Sequence, residues 1–453
     1  MLFNELNLPE EILRAVEDMG FSEATEIQSK AIPVMLEGKD LVGKSNTGTG
    51  KTAAFGIPAA VSVTRGGKNG VEVLILCPTR ELAMQACKEI EKFSAYMPWV
   101  KPCAVYGGAA MDKQISELRR GANIVVGTPG RVMDHIGRKT LKLENLRTIV
   151  LDEADEMLNM GFREDIETIL SFVPEERQTV LFSATMPPPI MAITKEYQND
   201  PVVIKVESKA RTVDTIEQKY FEVPMGRKTD ALKLLLIAYE PKLSMVFCNT
   251  KKMVDELTEA LVSKGFKAAG LHGDMKQASR TQVLSAFKSG SINVLIATDV
   301  AARGIDVEGV DCVFNYDLPQ DNEYYIHRIG RTGRAGKSGA AYTIISGRKQ
   351  FYELKNIASF IKADIARAEL PGRDEIVARK AAHVNEKILS AVESGKYESC
   401  RADVQKLMES GLSAEDIAVA LLGMRLSKDT KNIPEIISVP RDNGGKKSEA
   451  KRS

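Results

Sequence analysis

The chain has 453 residues, of which 43% are apolar and 27% charged, with a net charge of +1. That length suits two or three domains at roughly 100–200 residues each, and no stretch approaches the roughly 20 apolar residues of a membrane span. Near-zero net charge excludes polyelectrolyte binding by bulk charge, so any nucleic-acid site must be a local track of Arg and Lys.

The opening residues, Met1-Leu2-Phe3-Asn4-Glu5-Leu6, show no basic region leading into an apolar run, and no secretory signal is read there. Short, almost continuously apolar runs at 40–43, 71–77, 124–127, 148–151 and 179–182 read as strands buried on both faces. Amphipathic helical patterns, such as 81–93 and 112–120, lie between them. This alternation predicts an α/β fold with a parallel sheet and helices on both sides. The pattern restarts with strand-like runs at 245–248, 293–297, 312–314 and 342–345, separated by helices such as 252–264. A polar stretch near 207–215 divides the two sets, so the expected organisation is two tandem α/β domains, 1–207 and 216–370, with a linker at 208–215.

Beyond Pro371 the strand signal ends. Segments 373–393, 401–410 and 414–426 read as three helices, with Ile376, Val384, Ile388 and Val392 at near-helical spacing and Ser413, followed by Asp416, as an N-cap. The segment 428–453 is expected to be a disordered tail, and its last thirteen residues hold five basic and two acidic side chains. The six cysteines, at 77, 87, 103, 248, 312 and 400, have no metal-ligand spacing. Cys77, Cys248 and Cys312 sit in apolar runs and read as small core residues, in keeping with reduced thiols in a cytoplasmic protein.

Chemistry enters at Thr47-Gly48-Thr49-Gly50-Lys51-Thr52, between an apolar strand and a helix. Glycines let the backbone wrap a phosphate, and the N–H groups of the helix start point at the anion. Lys51 would reach the β/γ-phosphates and Thr52 would ligate Mg²⁺. The usual first glycine of this loop is absent, and Ser45 stands in its place. About a hundred residues on, Asp152-Glu153 closes the run 148–151. A carboxylate there can hold Mg²⁺, and the adjacent Glu153 can act as general base for the attacking water. A small-molecule kinase would share these parts. The discriminator is a second α/β domain with its own phosphate-facing arginines, and His327-Arg328-Ile329-Gly330-Arg331-Thr332-Gly333-Arg334 supplies three at a spacing of three.

Asp152-Glu153-Ala154-Asp155 completes a set of motifs, in order over roughly residues 1–370, that strongly resembles the DEAD-box ATP-dependent RNA helicases of superfamily 2. The resemblance implies two tandem RecA-like domains with parallel sheets, followed here by the small helical region. Gly20-Phe21-Ser22-Glu23-Ala24-Thr25-Glu26-Ile27-Gln28 resembles the family's adenine-recognition motif, though the prolines that usually flank the threonine are Ala24 and Glu26 here. By resemblance, Gln28 would pair with adenine, Phe3 would pack on its ring, and Asp306 would contact the ribose. Pro78, Thr79, Arg80, Gly107, Gly108, Thr128 and Arg131 match RNA-contact motifs of the first domain. Thr250, Arg280, Thr298 and Arg303 match those of the second. Arg331 and Arg334 resemble the two arginine fingers. Asp155, Ser183, Thr185 and His327 would couple hydrolysis to strand separation.

The resemblance further implies ATP and Mg²⁺ between the domains and RNA held by its sugar-phosphate backbone without sequence preference. Two functions use the same motifs: an RNA-stimulated ATPase that unwinds short duplexes and remodels RNA–protein complexes, which intact Glu153, Arg331 and Arg334 favour, and, as the alternative, an ATP-gated clamp that holds RNA with little unwinding. Residues 371–427 resemble the dimerisation module of bacterial cold-shock-type members, with packing back on the second domain of a monomer as the other reading. The basic tail would add salt-sensitive RNA contacts. Which RNA the chain serves, in ribosome assembly, mRNA decay or cold adaptation, stays open.

Overall fold

A computed structural model describes residues 1–45, 49–66, 70–206, 216–305, 307, 309–333, 338–395 and 397–430. The expected linker at 208–215 and the tail from 431 onward lie outside the described residues. The chain divides into two compact units, Met1–Lys209 with Arg303–Asp306, and Ala210–Ala302 with Val307–Ser453.

In the first unit the apolar runs become strands β1 (Leu41–Lys44), β2 (Val73–Leu76), β3 (Pro102–Val105), β4 (Ile124–Gly127), β5 (Thr148–Leu151), β6 (Gln178–Ser183) and β7 (Val202–Lys205). They form one parallel sheet in the order β3-β4-β2-β5-β6-β1-β7. Every residue of β2, β4, β5 and β6 is buried. Side chains alternate between the faces of a strand. Val73 and Ile75 therefore join one apolar cluster with Ile32, Phe55 and Phe93, while Leu74 and Leu76 join another with Val132, Ile166 and Ile169. Helices Glu26–Leu36, Lys51–Ser62 and Arg80–Phe93 close the first face, and Pro129–Gly137 and Arg163–Phe172 the second.

The second unit holds β8 (Ile216–Glu222), β9 (Ser244–Phe247), β10 (Ala268–Leu271), β11 (Val294–Ala297), β12 (Cys312–Asn315), β13 (Gly339–Ile345) and β14 (Ala366–Ala368). Their order, again parallel, is β10-β11-β9-β12-β13-β8-β14. Strand for strand this repeats the first sheet: β8 takes the place of β1, β9 of β2, β11 of β4 and β12 of β5. The two-fold α/β reading therefore holds. Strands β3, β7, β8, β10 and β14 are additions that the apolar runs did not announce.

The C-terminal part of the second unit is helical: Arg373–Glu393, Arg401–Glu409 and Ala414–Thr430. The last helix runs past Lys428, where the sequence reads as the start of a polar tail. Ser413 caps it, with Asp416 N donating to Ser413 Oγ at 3.0 Å. The first of these helices docks at its start, through fully buried Ile376, a 2.7 Å ion pair from Lys380 to Glu240, and Arg379 stacked over Tyr239. Its later residues Ile388, Leu389 and Val392 are exposed, the last 74% so. Cys77, Cys87, Cys103, Cys248 and Cys312 are buried and unpaired, and Cys400 is exposed. Burial pushes the Cys87 thiol up to about 12, so it stays protonated and inert. Among the described residues, no helix is long and apolar enough to cross a membrane.

Candidate active site

Loops at the carboxyl ends of parallel strands converge, and that is where open α/β sheets place ligands. In the first unit Lys51 follows β1, Thr79 follows β2, Gly107 follows β3, Thr128 follows β4, Asp152-Glu153 follows β5, and Ser183 ends β6.

Gly50 caps the helix Lys51–Ser62 at φ +89°, a left-handed conformation that favours glycine. A Cβ there would come within 2.4 Å of Gln28 Nε2, so space demands glycine as well. Gln28 is buried; its Oε1 accepts from Thr25 N at 2.9 Å and its Nε2 donates to Gly50 O at 3.1 Å. The amide assigned to adenine thus braces the phosphate loop, and each polar atom keeps one bonding position to spare. Ser45 explains its missing glycine. It has no positive φ, its N–H donates to Ser183 O at 3.1 Å, and its Oγ accepts from Thr49 at 3.3 Å. Phe3 lies in the core and stacks on Phe21, with ring centroids 6.5 Å apart; Phe21 is the exposed ring of the pair. Thr47 and Gly48 lie outside the described residues.

Lys51 Nζ sits 3.9 Å from Asp152 Oδ1, and both side chains are buried. Neither atom has a hydrogen-bond partner among the described residues. Burial raises the Asp152 carboxyl above its ordinary value, and the Lys51 ammonium opposes that shift. Buried polar atoms left unpaired are costly, so a site that keeps them is built for something that pairs with them. A polyphosphate for the ammonium and a divalent cation for the carboxylate fit this donor set, with Thr52 next along the helix. Among the described residues no group of three His, Cys, Asp or Glu could hold a metal unaided. A cation here would therefore rely on ligand oxygens, as Mg²⁺ commonly does at phosphates.

The second unit holds an internal control. Lys228, after β8, lies with its Nζ 3.9 Å from Asp317 Oδ1, after β12, the same separation at corresponding strands. There the groups are satisfied: Lys228 Nζ donates to Tyr316 O at 2.8 Å, and Asp317 Oδ2 accepts from Asn249 N at 3.1 Å. Lys51→Met is therefore expected to weaken nucleotide binding about tenfold or more, the worth of a charge-assisted hydrogen bond. Lys228→Met is expected to leave binding intact and instead cost about 1–3 kcal/mol of stability. Fluorescent-nucleotide titration and thermal melts of both variants check the contrast.

Glu153 is buried at φ 50° and ψ 51°, capping the helix Ala154–Asn159. Arg303, which groups with this unit, holds its Nε 3.3 Å from Glu153 Oε2 and its Nη1 against Glu156. Burial pushes Glu156 up to about 7, against the pull of Arg303. Asp155 Oδ2 accepts from Thr185 N at 2.8 Å and from Thr185 Oγ1 at 2.9 Å, while Ser183 Oγ accepts from Asp155 N at 3.3 Å and donates to Thr185 O at 2.6 Å. The ends of β5 and β6 are thereby tied together.

The motif loops share one construction. Thr79 and Thr250, at the corresponding strands β2 and β9, each cap a helix, accepting from Leu82 N at 3.3 Å and Met253 N at 3.2 Å. Thr128 stands at the cap of the helix Pro129–Gly137, with Pro129 at its first turn. Such helix starts present N–H groups suited to phosphate oxygens. Pro78 precedes Thr79. Arg80 lies over the turn Gly107-Gly108, where a Cβ at Gly108 would come 2.4 Å from its Nη1. Arg131 is mostly buried, with its Nη1 donating to Ala109 O at 3.3 Å. Arg280 is buried, donating from Nη2 to Ala301 O at 2.7 Å, and Thr298 leads into the helix Asp299–Ala302.

One arginine corrects the sequence reading. Arg328, the first of the three arginines taken to face phosphate, is 1% exposed. It grips Asp299 with Nε at 2.5 Å and Nη2 at 2.7 Å, and donates to Asp317 O at 2.5 Å and Asn249 Oδ1 at 3.0 Å. In the helix Asn322–Ile329 it sits one residue before fully buried Ile329, on the inward side, so it cannot face a ligand. Arg331 is partly exposed and donates from Nε to His327 O at 3.3 Å; the His327 ring stands edge-on to Tyr324. Arg334 and Asp306 lie outside the described residues.

Three family models match the chain: DEAD/DEAH box helicase over residues 25–193, Helicase conserved C-terminal domain over 227–336, and RNA helicase DeaD dimerization domain over 371–436. The DEAD-box ATP-dependent RNA helicase CshA of Geobacillus kaustophilus is 46% identical over 100% of this chain and 97% of its own length. The ATP-dependent RNA helicase CshA of Listeria monocytogenes is 48% identical over 97% of this chain and 84% of its own. Among solved structures, S. cerevisiae Dbp5 bound to RNA and ADP BeF3 matches with a TM-score of 0.75 at 32% identity, covering 83% of this chain and 97% of that one.

Proposed function

Given that this chain belongs to the DEAD-box ATP-dependent RNA helicases, we propose that it couples RNA-stimulated ATP hydrolysis to local, non-processive opening of short RNA duplexes and to remodelling of RNA–protein complexes. The observation that carries this is the pair Lys51 Nζ and Asp152 Oδ1, buried and without hydrogen-bond partners among the described residues, beside the carboxylate of Glu153. Lys51 and the amides of the phosphate loop bind the terminal phosphates. Thr52 and Asp152 hold Mg²⁺, which when bound neutralises charge developing on the phosphate oxygens. Glu153 takes the proton of the attacking water. Gln28 and Phe3 select adenine, and Asp306 orients the ribose. Arg331 and Arg334 stabilise transition-state charge.

Pro78, Thr79, Arg80, Gly107, Gly108, Thr128, Arg131, Thr250, Arg280, Thr298 and Arg303 form the RNA set. Its capped helix starts favour backbone over base contact, hence grip without sequence preference. The bonds from Asp155 to Ser183 and Thr185 support a coupling role for those three, and His327 takes part in the coupling by its place in the arginine motif. ATPase assays with and without RNA, beside displacement of a short duplex with excess trap strand, test the whole. The expectation is stimulation by RNA and ATP-dependent displacement. Turnover indifferent to RNA would overturn it, and stimulation without displacement would leave the ATP-gated clamp.

The helical region supports a homodimer. Besides the match to a dimerization domain, its three helices flank a cavity of about 1070 Å³ lined by Ile388, Val392, Tyr397 and Leu421, among others. These four side chains are exposed in a single chain, more than scattered surface apolars require. Light scattering is expected to give twice the chain mass, and Val392→Glu to return it to the monomer with RNA-stimulated ATPase retained.

A further inference from the structure

Gln114, on the helix Met111–Arg119, has no place in the motif set, yet it is 3% exposed and every polar atom of its amide is engaged. Its Nε2 donates to Tyr106 O at 3.0 Å, immediately before Gly107-Gly108. Its Oε1 accepts from Arg131 Nη1 at 3.3 Å and lies 3.0 Å from His135 Nε2. Arg131 Nη1 also reaches Ala109 O, immediately after the glycine pair. Both ends of the Gly107-Gly108 turn are therefore tethered to the helix Pro129–Gly137, which begins at the other turn of the set, Thr128-Pro129-Gly130-Arg131.

Hydrogen-bond accounting fixes the orientation of the amide. Arginine only donates, so the amide atom facing Arg131 is Oε1, and Nε2 must face the Tyr106 carbonyl, which only accepts. His135 Nε2 then carries the proton. Its Nδ1 lies 2.8 Å from Thr140 Oγ1, whose hydroxyl also has His135 O within reach at 3.1 Å. Burial and the neighbouring Arg131 hold this imidazole below its ordinary value, in keeping with the neutral tautomer. A fully satisfied buried network of this kind is stiff, and replacing its central member loosens everything attached.

We propose that Gln114 is a positioning residue for RNA binding: it sets the spacing between the Gly107-Gly108 turn and the Thr128–Arg131 turn. The inference rests on the reading that those turns contact the RNA backbone. The tolerance is small, because Gly108 stands at φ +85° under the Arg80 guanidinium with no room for even a Cβ. A shift of Tyr106 would carry both the turn and Arg80 with it. A glutamine serving stability alone would lower the melting temperature without changing the affinity for RNA.

The test is ATPase titrated with a single-stranded RNA, on the full chain. In Gln114→Met, of similar volume and without donor or acceptor, the RNA concentration for half-maximal rate is expected to rise about tenfold, as misplaced contact groups cost. Turnover at saturating RNA is expected to stay close to that of the parent. Gln114→Glu keeps an acceptor for Arg131 and His135 but turns an acceptor toward Tyr106 O, and is expected to give an intermediate rise. Should Gln114→Met fail to fold, Gln114→Glu decides by the same criterion. Arg80→Ala is the reference. If it raises the half-saturating RNA concentration while folded Gln114 variants do not, the positioning role is wrong. If Arg80→Ala also leaves that concentration unchanged, the turns are not RNA contacts, and the proposal falls with that reading.

Discussion

Glu153→Gln is expected to fold and to bind nucleotide, yet to turn over ATP about 10²–10⁴-fold more slowly, the usual contribution of a general base. The backbone makes the case. Glu153 stands at φ 50° and ψ 51°, a conformation that costs a residue with a side chain about 1–2 kcal/mol. Glycine would hold the same turn without that cost. A buried carboxylate kept there at the expense of stability points to its chemistry. Glutamine preserves the volume and an acceptor oxygen but cannot take a proton. It also leaves untouched the bonds from Asp155 to Thr185 that tie β5 to β6. Single-turnover hydrolysis, measured beside nucleotide binding and a thermal melt, separates lost chemistry from lost structure. Hydrolysis at the parent rate would show that another group activates the water.

The repeat of one sheet topology sets the candidate site beside a structural counterpart. Both units place a lysine and an aspartate 3.9 Å apart at corresponding strand ends. In the second, a backbone carbonyl and a backbone amide absorb the two charges, and the pair becomes an internal brace. In the first, Lys51 Nζ and the Asp152 Oδ1 that faces it are buried, with no hydrogen-bond partner among the described residues. What distinguishes the candidate site from its structural echo is thus unsatisfied bonding capacity, since the separation is common to both.

That distinction lies beyond what a sequence displays, and it marks where legibility ended. The central strands were readable because burial on both faces removes polar residues from the run, as in Val73–Leu76 and Val294–Ala297. Edge strands carry a weaker signature, and β7, Val-Val-Ile-Lys, is apolar for three residues only and buried at one. β3 is half-exposed on alternate residues, β10 reads Ala-Ala-Gly-Leu, and β14 is three residues long. β8 lies inside its sheet but carries the polar run Glu217-Gln218-Lys219, so it shows no continuous apolar stretch. In the candidate site, residues that carry a local motif stand out in the sequence. Gln114 does not, because its partners stand 8, 17 and 21 residues away. Lys228-Thr229 follows Gly226-Arg227 and went unnoticed as a relative of Lys51-Thr52, since only the matched strand order reveals the kinship. Arg328 differs from its reading because spacing at a helix end does not say which arginine turns inward.

That inward turn makes Arg328→Ala the expected worst substitution for stability. Its guanidinium satisfies both oxygens of Asp299, the carbonyl of Asp317 and the side chain of Asn249, and lies 5.2 Å from the Phe247 ring. These groups come from the ends of β9, β11 and β12, so one side chain holds three loops of the second unit together. Alanine removes every bond at once. It leaves the largely buried Asp299 carboxylate without its counter-charge, a loss of about 3–5 kcal/mol for a broken buried pair. At roughly 2–4 °C per kcal/mol for a unit of this size, the melting transition should fall on the order of 10 °C. Arg328→Lys is expected to recover little, because an ammonium has no planar fork to grip both oxygens of Asp299. Differential scanning calorimetry is the measurement. A shift confined to the second unit's transition fits a structural hub. Unchanged melting with lost hydrolysis would instead return Arg328 to the ligand-facing role that its spacing suggested.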